Sequence, residues 1–113
     1  MAVVERPPRR DEVWLVDLDP TFGAEIRKTR PCLVISPDEI NKNLDTIIVA
    51  PMTTTIRSYP SRVQVRFKGK SGQIALDQLR SVDQQRLVRR LGIVAENTAQ
   101  SASATLIQMF NRA

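Results

Sequence analysis

Histidine is absent from this chain of 113 residues. The commonest general base near neutral pH and the usual zinc ligand are therefore missing together, and a histidine-dependent nucleophilic triad is excluded. Cysteine occurs once, as Cys32, so there is no intrachain disulfide and no thiolate cluster. With apolar residues around it and no imidazole to activate it, Cys32 reads as a small packing residue. No phosphate-cradling glycine loop and no pair of acids at metal-ligand spacing is present, so no metal and no cofactor are expected. No apolar run approaches the ~18 residues of a membrane span, and the N-terminus lacks a signal-peptide core. A cytoplasmic protein without a membrane partner is expected, and the single cysteine fits a reducing compartment. Aromatic residues make up only 4%, which leaves branched aliphatics to fill the interior.

What is abundant is positive charge. A net charge of +5 and a pI near 10.1 point to an anionic partner, nucleic acid first among them, or to an inert basic surface. Arginine dominates, and its planar fork suits bidentate phosphate contacts. The apolar share of 42% is enough for one folded domain over residues 1–113. Residues 1–10, polar and broken by proline, are expected to form a loosely held tail.

Short strands follow one another with turns between. Val13–Leu18 is apolar on both alternating faces, as in a strand buried on both sides. Trp14 within it suits core packing, with base stacking as the alternative. Cys32–Ile35 and Ile47–Ala50 are the next strands, with a short helical turn at 37–41 capped by Ser36. Over residues 62–68, Val63, Val65 and Phe67 alternate with Arg62, Gln64, Arg66 and Lys68, which predicts a cationic stripe on the wet face. Lys70-Ser71-Gly72 reads as a turn and Gln73–Leu76 as a fifth strand. Residues 83–87 suit a helical turn and 88–93 a last extended piece. Ala99, Ala102, Ser103, Leu106, Ile107 and Phe110 recur at helical spacing, which predicts an amphipathic helix over 95–111 packed on the sheet. The fold class is mainly β with a C-terminal helix, a small, mostly antiparallel barrel.

The most distinctive stretch is DLDPTFGAEIRKTRPCLVIS, residues 17–36. Its loop holds Pro20, Gly23 and the charges Glu25, Arg27, Lys28 and Arg30, and Arg30 falls where loop meets strand. Thr53, Thr54 and Thr55 end the third strand with three hydroxyls, which suit phosphate or turn backbone equally. Carboxylates, arginines and hydroxyls suffice for RNA cleavage, because the ribose 2′-hydroxyl is the substrate's own nucleophile. Glu25, Arg30 and Thr53 have the types that such chemistry needs; composition permits it without selecting it.

The blocks EVWLVDLDPTFGAEIRKTRPCLVISP, TIIVAPMTT, GQIALDQLRSVD and QRLVRRLG, in this order from about Arg10 to Leu91, resemble the PemK-like, MazF-type toxins of bacterial type II toxin–antitoxin modules. The resemblance implies an SH3-like β-barrel and a homodimer. It implies a metal-independent, sequence-specific endoribonuclease on single-stranded RNA, leaving 2′,3′-cyclic phosphate and 5′-hydroxyl ends and so halting translation and growth in the bacterial cytoplasm. By position, Arg30 and Thr53 match the family's catalytic pair, and Glu25 a further acid. The RNA-contacting candidates are Arg27, Lys28, Thr54, Arg57, Arg62, Arg66, Lys68, Asp77, Gln78 and Arg80. Some members use the acid at Asp77 as a base, partnered by an arginine where this chain has Ala75. Asp77 and Gln78 are therefore expected to be structural or RNA-contacting. A cognate acidic antitoxin is the second implied partner. A non-catalytic barrel toxin that inhibits DNA gyrase by binding, and a plain nucleic-acid-binding barrel, are the competing readings.

Overall fold

The computed structural model describes residues 6–112. Seven antiparallel strands form one curled sheet: β1 (Glu12–Asp17), β2 (Thr29–Val34), β3 (Thr46–Thr53), β4 (Arg62–Phe67), β5 (Lys70–Ala75), β6 (Arg80–Asp83) and β7 (Leu87–Ile93). Helix α1 (Asp38–Asn43) joins β2 to β3, and α2 (Glu96–Phe110) closes the chain. The strand order is β4-β5-β3-β2-β1-β7, with β6 also paired to β3. This is the mainly β barrel with a terminal helix that strand spacing predicts.

β3 is long because it serves two partners along one edge. Its residues Thr46–Val49 pair with β6, and Met52 and Thr53 pair with β5. Ala50 and Pro51 lie in the gap, where proline, having no N–H, leaves no donor unpaired. The split lets the sheet bury both faces. One face packs Val13, Leu33, Ala50, Ile74 and Leu76 under β4 and Ala102 of α2, and the other packs Trp14, Val16, Cys32, Val34, Ile47 and Val82. Trp14 is thus a core residue. Burial also pushes the Cys32 thiol up to about 12, which keeps it protonated, as a packing residue should be.

Several local expectations shift. The hairpin between β4 and β5 turns at Lys68 and Gly69, both at positive φ (50° and 79°), so residues 70–72 are strand rather than turn. Such a two-residue turn needs left-handed backbone, which Gly69 adopts freely. Ser36 does not cap α1; its hydroxyl bonds Asn41 and accepts from the Ile48 amide. On α2, Ala99, Ala102 and Leu106 pack against the sheet, but Ile107 and Phe110 are 67% and 69% exposed. The last turn of the helix overhangs the barrel.

The segment expected as a loose tail is held from Arg6 onward, and its first five residues lie outside the described ones. Asn41 donates to the Pro8 carbonyl at 3.0 Å, and the Arg10 amide donates to Asp38 at 2.8 Å. The centre of this attachment is Glu12, 2% exposed. Its carboxylate accepts from Arg6 (2.6 Å), the Arg9 amide (2.8 Å), Trp14 Nε1 (3.1 Å) and Arg90 (2.7 Å). Burial by itself would raise this carboxyl, but those donors outweigh it and hold it at about 2, against an ordinary 4.5. A carboxyl depressed on folding stabilises above its unfolded value and loses that effect as pH falls through the folded one. Glu12→Gln should therefore cost about 2 kcal/mol at neutral pH, allowing for water at the two arginines. The gap between variant and wild type should shrink between pH 4.5 and about 2, as read by denaturant unfolding across that range.

Candidate functional site

The register of β2 on β3 brings the central residues together. Cys32 lies opposite Pro51 and Leu33 opposite Ala50. Carried on by two residues, that register sets Arg30 opposite Thr53, where both strands run out into loops. Arg30 is half-buried, and its Nε donates to the Arg27 carbonyl at 3.0 Å, which fixes the plane of the guanidinium. Thr53 Oγ1 accepts from the Thr55 amide at 3.1 Å. One of its two lone pairs is thereby used, and the hydroxyl hydrogen is left free to donate. Gly72 guards this position: a Cβ there would stand 2.6 Å from the Thr53 carbonyl oxygen.

Glu25 comes from the β1–β2 loop. Its Oε1 accepts the Phe22 amide at 2.6 Å and its own amide donates to the Phe22 carbonyl, closing a tight turn around Gly23 at φ +55°. The loop is fastened at its neck by Leu18 N to the Lys28 carbonyl and by Lys28 N to Asp19. At its far end Gln78 clamps it twice, accepting from the Ile26 amide (2.6 Å) and donating to the Ala24 carbonyl (3.3 Å). Glu25, Arg30 and Thr53 line one open cleft of about 540 Å³, with Arg27, Arg57, Arg62, Asp77 and Gln78 on its walls.

The other sequence candidates fall elsewhere. Thr54 and Lys68 line a second cavity, at the barrel mouth. Arg80 borders a third space beside Gln78 and donates to the Leu18 carbonyl at 3.1 Å, so it braces the loop neck. Lys28 and Arg66 are exposed and border neither the cleft nor the barrel mouth. Arg62 corrects the predicted stripe. Its side chain is only 6% exposed, pairs with Asp77 (Nε to Oδ1 2.8 Å) and lies 5.2 Å from the Tyr59 ring. It therefore leaves the wet face of β4 to Gln64 and Arg66, while Lys68, at the positive-φ turn after the strand, stands at the barrel-mouth cavity.

Asp77 does have an arginine partner, although Ala75 stands where one is expected. β4 supplies it, because Arg62 lies directly across from Ala75 in the register. Burial would raise the Asp77 carboxyl, but hydrogen bonds from Arg62 and Ser61 outweigh it and hold it below its usual range. A carboxylate stabilised in this way is a poor proton acceptor, so the pairing itself disfavours Asp77 as base. With Arg62 neutralised, Arg27, Arg30 and Arg57 face a single further acid, Glu25, and the cleft is cationic. Among the described residues no three His, Cys, Asp or Glu side chains gather where a metal could sit.

Two supports escape sequence reasoning. Gln73, 1% exposed, accepts the Arg57 amide and donates to the Arg57 carbonyl, both at 3.0 Å. One buried amide thus holds the cleft's far wall. Gly72 is the other. The sequence signal available was a polar and a glycine residue side by side in an apolar strand, which marks close approach of another backbone. Phe22, 82% exposed at the tip of the first loop, is a further surprise in a chain so poor in aromatics.

Fold and cleft together define a small antiparallel β-barrel with a cationic cleft at the ends of its central strands. Residues 9–110 match the family described as PemK-like, MazF-like toxin of type II toxin–antitoxin system, and the chain belongs to that family. The endoribonuclease MazF of Staphylococcus epidermidis is 36% identical over 95 residues, which span 79% of this chain and 79% of that protein. A crystal structure of MazF from Deinococcus radiodurans superposes with a TM-score of 0.81 at 25% identity, covering 91% of this chain and 96% of that one. A mycobacterial endoribonuclease in complex with its cognate antitoxin has the same fold, with a TM-score of 0.78 at 21% identity over 94% of this chain and 99% of that one. No helix of the described residues is long and apolar enough to cross a membrane.

The double clamp of Gln78 gives a local test. In Gln78→Ala the Ile26 amide loses its acceptor, and its hydrogen exchange should accelerate strongly. Global stability should fall by only about 1 kcal/mol, since the loop adds little to the core.

Proposed function

We propose that this chain is the toxin of a type II toxin–antitoxin pair and a metal-independent endoribonuclease on single-stranded RNA. The observation that carries the reading is the convergence of Glu25, Arg30 and Thr53, from three separate segments, on one cationic cleft. Membership of the PemK-like, MazF-like toxins and the endoribonuclease relative support it. A protein that only bound nucleic acid or another protein would have no use for a carboxylate in that company.

The reaction is an in-line displacement at phosphorus. The ribose 2′-oxygen attacks the adjacent phosphodiester, and Glu25, with Oε1 tied to the Phe22 amide, takes the 2′-proton on its carboxylate. Arg30 and the Thr53 hydroxyl donate to the non-bridging oxygens as charge builds in the phosphorane. The bond to the 5′-oxygen breaks, that oxygen takes a proton from water, and the products carry a 2′,3′-cyclic phosphate and a 5′-hydroxyl. Arg27, Arg57 and the exposed Arg66 and Lys68 hold the flanking phosphates, and Asp77 with Gln78 keeps the cleft walls in place. The same cations fit the acidic segment of a cognate antitoxin, which would block the cleft by occupying it. A homodimer working in the cytoplasm completes the proposal; the overhanging Ile107 and Phe110 offer apolar surface of the kind that a subunit contact buries.

A preorganised donor to a developing oxyanion is worth about 10²–10³ in kcat. Arg30→Ala and Thr53→Val should each lower kcat by about that factor, with the circular dichroism spectrum and Tm unchanged, while Thr53→Ser keeps most of the activity. Wild-type protein should cleave end-labelled RNA in excess EDTA and leave cyclic-phosphate ends. RNA left intact by the pure protein, or full activity in Arg30→Ala, refutes the assignment.

A further inference from the structure

Arg30 and Thr53 border a second cavity, and they alone are common to both. It opens at the mouth of the barrel, holds about 260 Å³ and has a different chemistry. Met52, Val65, Phe67 and Leu91 wall it, Lys68 and Lys70 stand at its rim, and no acidic residue lines it. The Phe67 ring is fixed against the chain: a Cβ at Gly92 would meet its Cζ at 3.0 Å. Polar cleft and apolar pocket thus lie on either side of a ridge made of the two groups assigned to the phosphodiester.

We propose that this apolar pocket receives the nucleobase next to the scissile phosphate, with the RNA strand crossing the Arg30–Thr53 ridge. The inference rests on the endoribonuclease reading and adds to it a subsite on this protein's own barrel. A phosphate held on the ridge has one nucleoside on each side. The nucleoside on the cleft side meets Glu25 and arginines, and the other meets an apolar cavity with an aromatic wall. A base is flat, apolar on its faces and polar at its edges, so it suits a pocket with an aromatic wall and a polar rim. Lys68 and Lys70 then lie where the next phosphate leaves the pocket. The volume admits one ring system and not a helix, whose width with side chains is about 10 Å or more.

The cleavage step is first mapped on a transcript with the wild-type protein. A short RNA containing that step, with a 2′-deoxy sugar in place of the nucleophile, is then made with 2-aminopurine or an abasic sugar at each flanking nucleotide in turn. Quenching of 2-aminopurine on one side of the step only is expected. An abasic sugar on that same side should weaken Kd by about 5- to 150-fold, the range for losing one base–aromatic stack. Phe67→Leu should weaken binding of the intact RNA and remove most of its advantage over the abasic one. Equal binding of intact and abasic RNA, on both sides, overturns the pocket while leaving cleavage in place; that comparison needs no variant and stands even if Phe67→Leu fails to fold. A folded Phe67→Leu that binds both RNAs as wild type does also overturns it. So does one that loses only the affinity for an acidic peptide carrying leucine anchors, since the occupant is then protein. If the wild-type protein leaves the transcript intact, the endoribonuclease reading fails and the subsite falls with it.

Discussion

The shared edge of β3 is the constraint on which the rest of the molecule depends. One strand pairs with β6 over its first half and with β5 over its last two residues, and the break between them falls at Ala50–Pro51. Because the two partners diverge there, the sheet curls and encloses a core on each face. The strand's end, where pairing stops, carries Thr53, and the neighbouring strand's start carries Arg30. Reactive groups at the frayed ends of rigid strands are both well positioned and open to solvent. Gly72 completes the arrangement by letting β5 approach the Thr53 carbonyl more closely than any side chain would allow.

Charge is divided between structure and site. Glu12 binds two arginines and Asp77 one, and Arg80 and Arg86 donate to backbone carbonyls of residues 17–19. These cations brace the N-terminal segment, the far wall and the loop neck, and they are not available as a diffuse basic surface. Arg27, Arg30 and Arg57, left in the cleft with Glu25, have no salt-bridge partner among the described residues. A net charge of +5 therefore understates how selectively the positive potential is placed. Water-exposed cations cost little to keep unpaired, whereas the buried carboxylate of Glu12 needs every donor it has.

Strand and helix types were legible in the sequence because binary patterning follows the side-chain period directly. Val63, Val65 and Phe67 announce β4, and the spacing of Ala99, Ala102 and Leu106 announces α2. Boundaries were less legible: Ser36 looks like a cap but is drawn into a buried network with Asn41, and the β4–β5 turn lies at Lys68-Gly69 rather than three residues on. Arg62 shows the limit most clearly. In the pattern it is one more polar residue on a wet face, yet the cross-strand neighbour is Ala75, whose small side chain leaves room for the guanidinium to reach Asp77.

The sequence by itself determined a single β-rich domain, without imidazole or thiolate chemistry, and named the residue types that meet at the site, because composition and alternation are local properties of the chain. Only the tertiary structure decided that Glu25, Arg30 and Thr53 share a cleft, that Arg62 is spent on Asp77, and that Gln73 and Gln78 hold the walls. Those facts depend on strand register and on which residues face one another across a ladder, and register arises from long-range packing that no window of the sequence contains.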